Sequence, residues 1–379
     1  MEIRIIKKCL VAALARTSAI ADRKSSMQIL SNVLIDASER DQVRISATDL
    51  NLFATGTYPA EVVEHGAITV PAKTIYDVTR NMPDGEITFK TDGDQVLVSS
   101  GRSQFQLLVM PPEDFPMVPD SSAVQFFEID TSLLHRMIDQ TSFSISTDET
   151  RAHLNGALFQ GDGKNLRMVT TDGHRLSKVE FKVEESGFYN FSMVVPNKAI
   201  SEIKRLVEDD VGNVSAASKD GSLFLKRTVE IDTGGGADPL VSEVLLVSKL
   251  IEEEFPPYEQ VIPKSNDRTA VVTRSALLEA LRRVTVVSEE KTLGVRFEFS
   301  EGVLGIETNN PSVGQGSEQL DVSFEGESVT IGFNAKYFID ILTVLRDDEV
   351  EMDLSGSLDP VVVRDPENLF IGVVMPMRI

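Results

Sequence analysis

Two kinds of hydrophobic pattern alternate along this chain. Short runs in which apolar and polar residues alternate, such as EITFK (86–90) and QVLVSS (95–100), predict half-buried β-strands. Longer segments with apolar residues three and four positions apart, such as RSALLEALRRVTVV (274–287), predict amphipathic helices. The pattern predicts helices at 6–20, 72–82, 131–142, 197–208, 274–286 and 335–346.

These elements recur in three copies. Three short landmarks appear in the same order each time: a strand, a turn at the end of a later strand, and a strand that runs into a helix. The second copy follows the first by 123 to 125 residues, and the third follows the second by 137 or 138. The landmarks are LSNVL (30–34), LNGAL (154–158) and TLGVR (292–296); SATDL (46–50), TTDGH (170–174) and ETNNP (307–311); and VPAK (70–73), VPNK (195–198) and FNAK (333–336).

The repeats predict three domains of one fold. Proline-rich segments, MPPEDFPMVPD (110–120) and EEEFPPYEQVIPK (252–264), read as extended linkers at the two seams. The extra length of the second interval coincides with TGGGAD (233–238), which we interpret as a loop. We therefore expect domains at 1–121, 122–253 and 254–379.

Composition is that of an ordinary globular protein, with 41% hydrophobic and 25% charged residues. The single cysteine, Cys9, excludes an internal disulfide and a multi-cysteine metal site, which favours a reducing cytoplasm. The first segment, MEIRIIKKCLVAALAR (1–16), resembles a signal peptide only faintly, and we interpret it as a strand followed by an amphipathic helix. Because no apolar run approaches the ~18 residues of a membrane span, no membrane partner is expected.

Net charge argues against nucleic acid as a partner, but its distribution argues for it. The chain carries −22, yet the six predicted helices contain fourteen basic and six acidic residues, a net of +8. The remainder therefore carries −30. Charge on a single helix face is usually just solvated, but the same bias on six helices predicts a positive surface within an acidic body. Such a surface attracts a polyanion without sequence-specific contact.

The TTDGH landmark at 170–174 and the next residue, Arg175, place Asp172, His174 and Arg175 close together, which raises the question of catalysis. Asp-Gly between two alternating strands is a preferred hairpin turn, and the matching positions in the other repeats are also turn residues. No phosphate-cradling loop and no metal-ligand spacing occurs elsewhere, and the four histidines are scattered. The sequence therefore predicts no catalytic residue, no metal, no cofactor and no enzyme activity.

The whole chain resembles the bacterial DNA polymerase III beta subunits, the sliding clamps. The resemblance rests on the three repeats and on TDGHRL (171–176), FPPY (255–258), FNAKY (333–337) and the terminal VVMPMRI (373–379). It implies an α+β fold of three clamp-type domains, each with antiparallel sheets outside and two helices inside, in a head-to-tail homodimeric ring. It also implies that the ring encircles duplex DNA without sequence specificity and confers processivity.

The same resemblance implies partners and sites. The partners are a second copy of the chain, the DNA polymerase III catalytic subunit, a clamp loader, and other clamp-motif proteins such as translesion polymerases, mismatch repair proteins and ligase. Short peptides from these partners are expected to bind an apolar pocket, with His174, Arg175 and Arg378 as polar anchors at its rim. The pocket residues implied are Leu154, Thr171, Gly173, His174, Arg175, Leu176, Pro256, Val261, Asn334, Tyr337, Val374, Met375, Pro376, Met377 and Arg378.

Two further sets of residues follow from the ring. The DNA-facing candidates are Lys24, Lys73, Arg80, Lys198, Lys204, Arg205, Arg282, Arg283 and Lys336. Edge strands within GRSQFQLLV (101–109) and SEQLDVS (317–323) are candidates for pairing across the dimer interface, with Phe105, Val286 and Val287 packing there. An ordinary core position is the alternative for each of these three side chains.

Two other functions remain open at the level of the sequence. An acidic repeat scaffold that binds only proteins would share the peptide pocket but would not retain DNA. A hydrolase built on three β-rich domains is disfavoured by the missing motifs. The chain departs from the family pattern at Gln260 and Thr292 on the pocket rim and at Ala152–His153, where the replaced aromatic pair weakens the DNA contact that the resemblance implies for that loop.

Overall fold

The computed structural model describes residues 1–122, 124–183, 190–232 and 239–378. The chain divides into two compact units, Met1–Ser132 with Ser201–Leu250, and Leu133–Ile200 with Ile251–Ile379. Each unit therefore draws on two of the three repeats. The predicted loop TGGGAD (233–238) lies outside the described residues. Within the described ranges, no helix is long and apolar enough to cross a membrane.

Six α-helices occur in the described residues, at the six predicted positions. Helix α5 shows the amphipathic pattern in detail: Leu277, Leu281 and Val284 are buried, while Arg282 and Arg283 are exposed. All but the first end one or two residues before the predicted end, and after α5 the chain tightens into a 3-10 turn at Thr285–Val287. The helices are α1 (Lys7–Ile20), α2 (Ala72–Asn81), α3 (Thr131–Thr141), α4 (Asn197–Leu206), α5 (Arg274–Val284) and α6 (Ala335–Val344).

The first unit contains two antiparallel sheets. A five-stranded sheet has the order β5-β1-β7-β8-β9, and an eight-stranded sheet has the order β10-β15-β16-β17-β4-β3-β2-β6. Their strands are β1 (Glu2–Ile6), β2 (Asn32–Ala37), β3 (Gln42–Thr48), β4 (Leu52–Pro59), β5 (Glu61–Glu64), β6 (Gly66–Pro71), β7 (Glu86–Asp92), β8 (Gln95–Ser100), β9 (Ser103–Leu108), β10 (Phe127–Asp130), β15 (Asn213–Lys219), β16 (Ser222–Ile231) and β17 (Leu240–Lys249).

The second unit also contains two antiparallel sheets. A nine-stranded sheet has the order β14-β11-β12-β13-β26-β25-β24-β18-β22, and a four-stranded sheet has the order β21-β20-β19-β23. Their strands are β11 (Gly156–Asp162), β12 (Asn165–Thr171), β13 (Arg175–Lys182), β14 (Asn190–Pro196), β18 (Arg268–Thr273), β19 (Gly294–Ser300), β20 (Val303–Asn310), β21 (Gly314–Asp321), β22 (Ser323–Phe324), β23 (Val329–Asn334), β24 (Glu349–Leu354), β25 (Val361–Arg364) and β26 (Phe370–Val374). The predicted α+β class with antiparallel sheets is confirmed.

Each large sheet continues from one repeat into the next. In the first unit, β4 of the N-terminal repeat pairs with β17, the last strand of the central repeat. In the second unit, β13 of the central repeat pairs with β26, the last strand of the C-terminal repeat. The same kind of junction therefore occurs twice, and in both cases it joins the second strand of a hairpin to the final strand of the following repeat.

The hairpins at these junctions share one turn geometry. Leu50 in the β3–β4 turn and Gly173 in the β12–β13 turn both have positive φ, at 75° and 89°. In each turn the preceding aspartate, Asp49 or Asp172, accepts hydrogen bonds from the backbone N–H groups two and three residues later. This agreement in atomic detail supports the repeats that the landmark spacing predicts.

Helix α6 is anchored by an aromatic cluster. Phe338 lies 5.0 Å from both Phe297 and Phe333, measured between ring centroids, and all three side chains are fully buried. Because Phe297 is on β19 and Phe333 is on β23, the cluster fixes α6 against the four-stranded sheet.

Candidate functional site

The predicted peptide site begins at the tip of the β12–β13 hairpin. Asp172 Oδ1 accepts hydrogen bonds from the backbone N–H groups of His174 at 2.9 Å and Arg175 at 3.1 Å. Thr171 Oγ1 accepts from the Gly173 N–H at 3.1 Å and donates to the Arg175 carbonyl at 2.6 Å. The predicted Asp-Gly hairpin is confirmed, and Asp172 acts as the cap of the turn.

The end of the chain runs along this hairpin. Strand β26 pairs with β13, and beyond it the Met375 N–H donates to the His174 carbonyl at 3.0 Å. The Met377 N–H then donates to the Gly332 carbonyl of β23 at 2.8 Å. The terminal MPMR segment is therefore tied by its backbone to two other elements, and its methionine and proline side chains remain half-buried.

An apolar cluster forms the floor next to this segment. Its buried members are Leu158, Val169, Leu176, Val194, Tyr258 and Val373, and Val261 and Phe255 of the FPPY linker pack against it half-buried. Leu176 and Val373 are register partners on adjacent strands, so their side chains point to the same face of the sheet. The linker lies over this face because its aromatic and aliphatic side chains bury apolar surface there.

Val374 does not belong to this floor. It is fully buried and pairs with Arg175, so it faces the opposite side of the sheet from Leu176. The expectation of Val374 at the pocket is wrong by one residue, and Val373 takes its place. The alternation of LFIGVV indicates that Val373 and Val374 face opposite sides of the sheet, because neighbouring residues on a strand point to opposite faces. Tyr258 and Val169 are floor residues that sequence reasoning missed.

The other predicted pocket residues lie around the floor in the same unit. Leu154 is buried in a 3-10 turn at Ala152–Leu154, while Thr171 and Pro256 are half-buried. Asn334 caps α6 by accepting from the Lys336 N–H at 2.9 Å, and Tyr337 on the first turn of that helix is half-buried. Gly173, His174 and Arg378 are exposed, as expected of a rim.

Arg175 is not a rim residue. Its side chain is only 7% exposed, and its guanidinium donates to Asp172 at 3.0 Å, to Asp340 at 2.6 Å and to the Phe143 carbonyl at 2.5 Å. The guanidinium also lies over the ring of Tyr337, 4.7 Å from its centroid. A role for Arg175 as a polar anchor of the peptide stays a prediction, but in this structure its guanidinium donors are already bonded to protein acceptors.

Burial also changes the acidity of tyrosines in this region. Desolvation, reinforced by the neighbouring Glu259, raises the pKa of Tyr258 to about 12. The pKa of Tyr337 is raised as well, first by burial and then by Asp172, with Arg175 acting in the opposite direction. Both phenols are therefore neutral at physiological pH and can serve only as hydrogen-bonding and apolar groups.

Three family models cover nearly the whole chain. The DNA polymerase III beta subunit N-terminal, central and C-terminal domains match residues 1–119, 128–257 and 259–378. The beta sliding clamps of Pseudomonas aeruginosa and Escherichia coli are 34% and 32% identical to this chain over 382 residues, covering 100% of both partners in each comparison. The solved Bartonella birtlesii sliding clamp, bound to griselimycin, superposes with a TM-score of 0.90 at 34% identity and 100% coverage of both chains.

The chain belongs to the family of bacterial beta sliding clamps. The DNA-facing candidates of this sliding clamp are mostly exposed, with Lys204 alone among the nine half-buried. Some of them form ion pairs, among them Arg205 with Glu202 at 2.6 Å, Lys336 with Asp340 at 2.9 Å, and Arg283 with Glu318 through bonds of 2.8 and 3.0 Å. The helices within their observed bounds contain thirteen basic and five acidic residues, so they keep the net charge of +8.

The predicted interface residues of the clamp lie at two sheet edges. Phe105 is on β9, which pairs with β8 alone among the described strands, and its side chain is 43% exposed. Val286 is 79% exposed, which excludes the core alternative for it. Val287 is half-buried and packs on β21, the outer strand of the four-stranded sheet, where a Cβ on Gly316 would lie 2.8 Å from its Cγ2 atom.

Proposed function

We propose that two copies of this sliding clamp close head to tail into a ring around duplex DNA. The ring tethers the replicative polymerase and other enzymes through the peptide site, and it slides because it holds DNA topologically. The chain itself contributes no catalytic step, acts in the cytoplasm, and depends on a clamp loader for ATP-driven opening. The proposal divides into ring closure, DNA retention and partner binding.

Ring closure is supported by the two strands left over from the repeated junction. Inside the chain, the second hairpin strand of one repeat pairs with the last strand of the next, as β4 with β17 and β13 with β26. In the third repeat the equivalent hairpin strand is β21, but no repeat follows it in the chain. The last strand of the first repeat, β9, is the strand that would pair with β21 if a second copy took the place of the following repeat. Both are unpaired on their outer side among the described residues. This observation carries the proposal, because antiparallel pairing of β9 with β21 of a second copy satisfies both edges.

Retention of DNA is supported by the charge on the helices. A net charge of +8 on six helices, within a chain of −22, attracts phosphate at short range while the acidic remainder repels it. Several of the basic side chains are exposed on helices, among them Lys73, Arg80 and Arg282. Diffuse contacts of this kind suit sliding, because they favour no one position along the duplex.

Partner binding is supported by the floor and rim described above. Val261 is a half-buried apolar side chain packed against the buried floor that contains Leu176 and Val373. Met375 and Met377 are half-buried, flexible side chains that adapt to different ligands, and His174 supplies an exposed polar group. The relatives from Pseudomonas aeruginosa and Bartonella birtlesii have been solved bound to griselimycin, so members of the family bind this ligand. We propose that the partners of this chain dock at this surface.

The test of the ring uses DNA topology. The protein, with its clamp loader and ATP, is loaded on nicked circular plasmid, isolated by gel filtration, and then treated with a single-cutting restriction enzyme. We expect co-elution with the circle and release on linearisation, because only a closed circle prevents a ring from sliding off. The control is the same enzyme treatment of a plasmid lacking the cutting site.

Two outcomes contradict the ring. Persistent binding after linearisation indicates ordinary adhesion, and failure to bind the circle at all indicates a scaffold that binds only proteins. The solution mass gives a second check, since a ring corresponds to twice the 41.7 kDa of one chain.

A further inference from the structure

We propose that Arg175 and Asp340 form a clasp that sets the shape of the peptide site without touching the peptide. Arg175 is at the start of β13, on the hairpin of the central repeat, and Asp340 is on α6 of the C-terminal repeat, 165 positions away. The proposal rests on the proposed peptide-binding function. It assigns both side chains as positioning residues, and it replaces the expectation that Arg175 binds partners directly.

The clasp is a buried ion pair with several supports. Arg175 Nη1 lies 2.6 Å from Asp340 Oδ2, and the two side chains are 7% and 17% exposed. The Nε atom of the same guanidinium bonds Asp172, and Nη2 bonds the Phe143 carbonyl. The planar group is also flanked by the rings of Phe143 and Tyr337, at 5.3 and 4.7 Å. A planar fork held by this many partners has a fixed orientation, which a lysine ammonium cannot reproduce.

The clasp completes a triangle of links between the elements that surround the site. The chain terminus is joined to the hairpin by the Met375 to His174 hydrogen bond, and to β23 by the Met377 to Gly332 hydrogen bond. Strand β23 runs directly into α6 at Asn334. The Arg175–Asp340 pair is the third link, from α6 back to the hairpin. Without the ion pair, the hairpin tip is joined to α6 by the stacking of Arg175 on Tyr337 and through the chain terminus.

The position of the clasp indicates what it controls. The hairpin carries His174 and Leu176, whereas α6 carries Tyr337, so the two sides of the site come from separate repeats. The Arg175 guanidinium lies over the ring of Tyr337 and bonds Asp172, the residue that caps the turn. A change in the Arg175–Asp340 distance therefore moves His174 relative to Tyr337. Ligand affinity depends on that separation, because a preformed site avoids the cost of ordering its walls on binding.

Asp340 is shared with a second cation. Lys336, one turn earlier on α6, places its Nζ 2.9 Å from both carboxylate oxygens of Asp340. In Arg175→Lys, Asp340 therefore still has Lys336 as a partner. The shorter side chain at position 175, however, no longer holds Asp340 at the same distance. A lysine at position 175 keeps the charge but cannot bond Asp172, Asp340 and the Phe143 carbonyl in the arrangement of the planar guanidinium, so some of these bonds are lost at a cost in free energy. We expect the hairpin tip to move to relieve this cost.

The test is a double-mutant cycle on peptide affinity. The probe is a fluorescein-labelled peptide from the carboxyl terminus of the same organism's DNA polymerase III catalytic subunit, followed by fluorescence anisotropy. We expect Arg175→Lys and Asp340→Asn each to weaken binding about tenfold, and the double variant to be no weaker than the worse single variant. Asp340→Glu, which keeps the charge, is expected to restore affinity to within about threefold of the wild-type value.

A matched control separates positioning from general stability. Arg227 has a side chain only 4% exposed and, like Arg175, bonds both carboxylate and backbone acceptors: one carboxylate, Asp209, and backbone carbonyls that include that of Val211 at 2.6 Å. It belongs to the first unit and is not part of the peptide site. Arg227→Lys is expected to lower the melting temperature as Arg175→Lys does while leaving peptide affinity unchanged.

Each remaining outcome bears on the clasp. If Arg175→Lys weakens binding but Asp340→Asn does not, Arg175 contacts the peptide itself and the clasp is refuted. Unchanged affinity in both variants, or fully additive losses, also refutes it while leaving the peptide site intact. If Arg175→Lys does not fold, Asp340→Asn and Asp340→Glu decide alone. A wild-type protein that does not bind the peptide overturns the proposed function, and the clasp with it.

Discussion

Replacing Phe105 with alanine is expected to weaken the dimer selectively. Phe105 lies on the outer strand β9 and is 43% exposed in the single chain. A fully buried aromatic side chain removes about 150–250 Å² from water, so about 90 Å² of Phe105 remains to be covered at an interface. At about 25 cal/mol per Å², this burial contributes about 2 kcal/mol to each interface.

The closed ring doubles this effect. Two identical chains joined head to tail have two interfaces, so separating the dimer completely loses about 4 kcal/mol of stabilisation in the Phe105→Ala variant, which corresponds to about a thousandfold rise in Kd. Opening the ring needs only one interface to break. We therefore expect the open fraction to rise about thirtyfold, from a difference of about 2 kcal/mol.

The dimer constant can be measured by mass photometry and sedimentation velocity over a concentration series. Met117→Ala serves as the control, because Met117 is 90% exposed and lies in the linker between repeats rather than on either edge strand. Its Kd is expected to equal that of the wild type. If Phe105→Ala leaves the monomer–dimer equilibrium unchanged, then β9 is not at the interface, and the inference from the leftover strands fails.

Three further outcomes are expected. Deleting Met375–Ile379 is expected to abolish binding of the polymerase peptide while the dimer survives, since these residues border the pocket; unchanged peptide affinity refutes the site. Gly173→Ala is expected to lower the free energy of unfolding in urea by about 1 kcal/mol or more, and by more than Gly93→Ala does. Both glycines have positive φ, but of the two only Gly173 has another group close to an added Cβ, Arg151 Nη1 at 2.9 Å, so equal losses contradict this reasoning. Tyr258→Phe is expected to remove an ionisation near pH 12 from the ultraviolet titration. Because the folded pKa of Tyr258 is above the unfolded value, the stability that the phenol contributes is complete below about pH 10 and is lost as pH rises through about 12. If the stability of Tyr258→Phe declines over that range identically to that of the wild type, the assignment is refuted.

Much of the fold was accessible from local pattern. All six helices appear where the apolar spacing predicts them, because each has one buried and one exposed face, as Leu281 and Arg282 illustrate. The hairpin at Asp172–Gly173 was accessible for a similar reason, since its turn depends on residues adjacent in the chain. The helix ends were less accurate, because the last turn can tighten or unwind at little cost.

The site was only partly accessible. Most of its members follow from the resemblance, yet Val373 and Val374 were interchanged, because resemblance supplies a segment and only the strand register decides which face each side chain occupies. Arg175 shows the same limit more clearly. Its type and its place after an Asp-Gly turn suggest an exposed cation, and nothing near it in the sequence reveals Asp340 or Phe143.

By itself, the sequence determined what depends on neighbouring residues: the helices, the strands, the repeat of one fold three times, and the basic bias of the helices within an acidic chain. Only the tertiary structure decided which strands join across repeats, which edges are left over, and that Arg175 is buried in a clasp to α6. The physical reason is that these depend on contacts between residues more than a hundred positions apart, whose pairing is set by how whole sheets and helices pack. Local periodicity records which face of an element is apolar, but it does not record what that face meets.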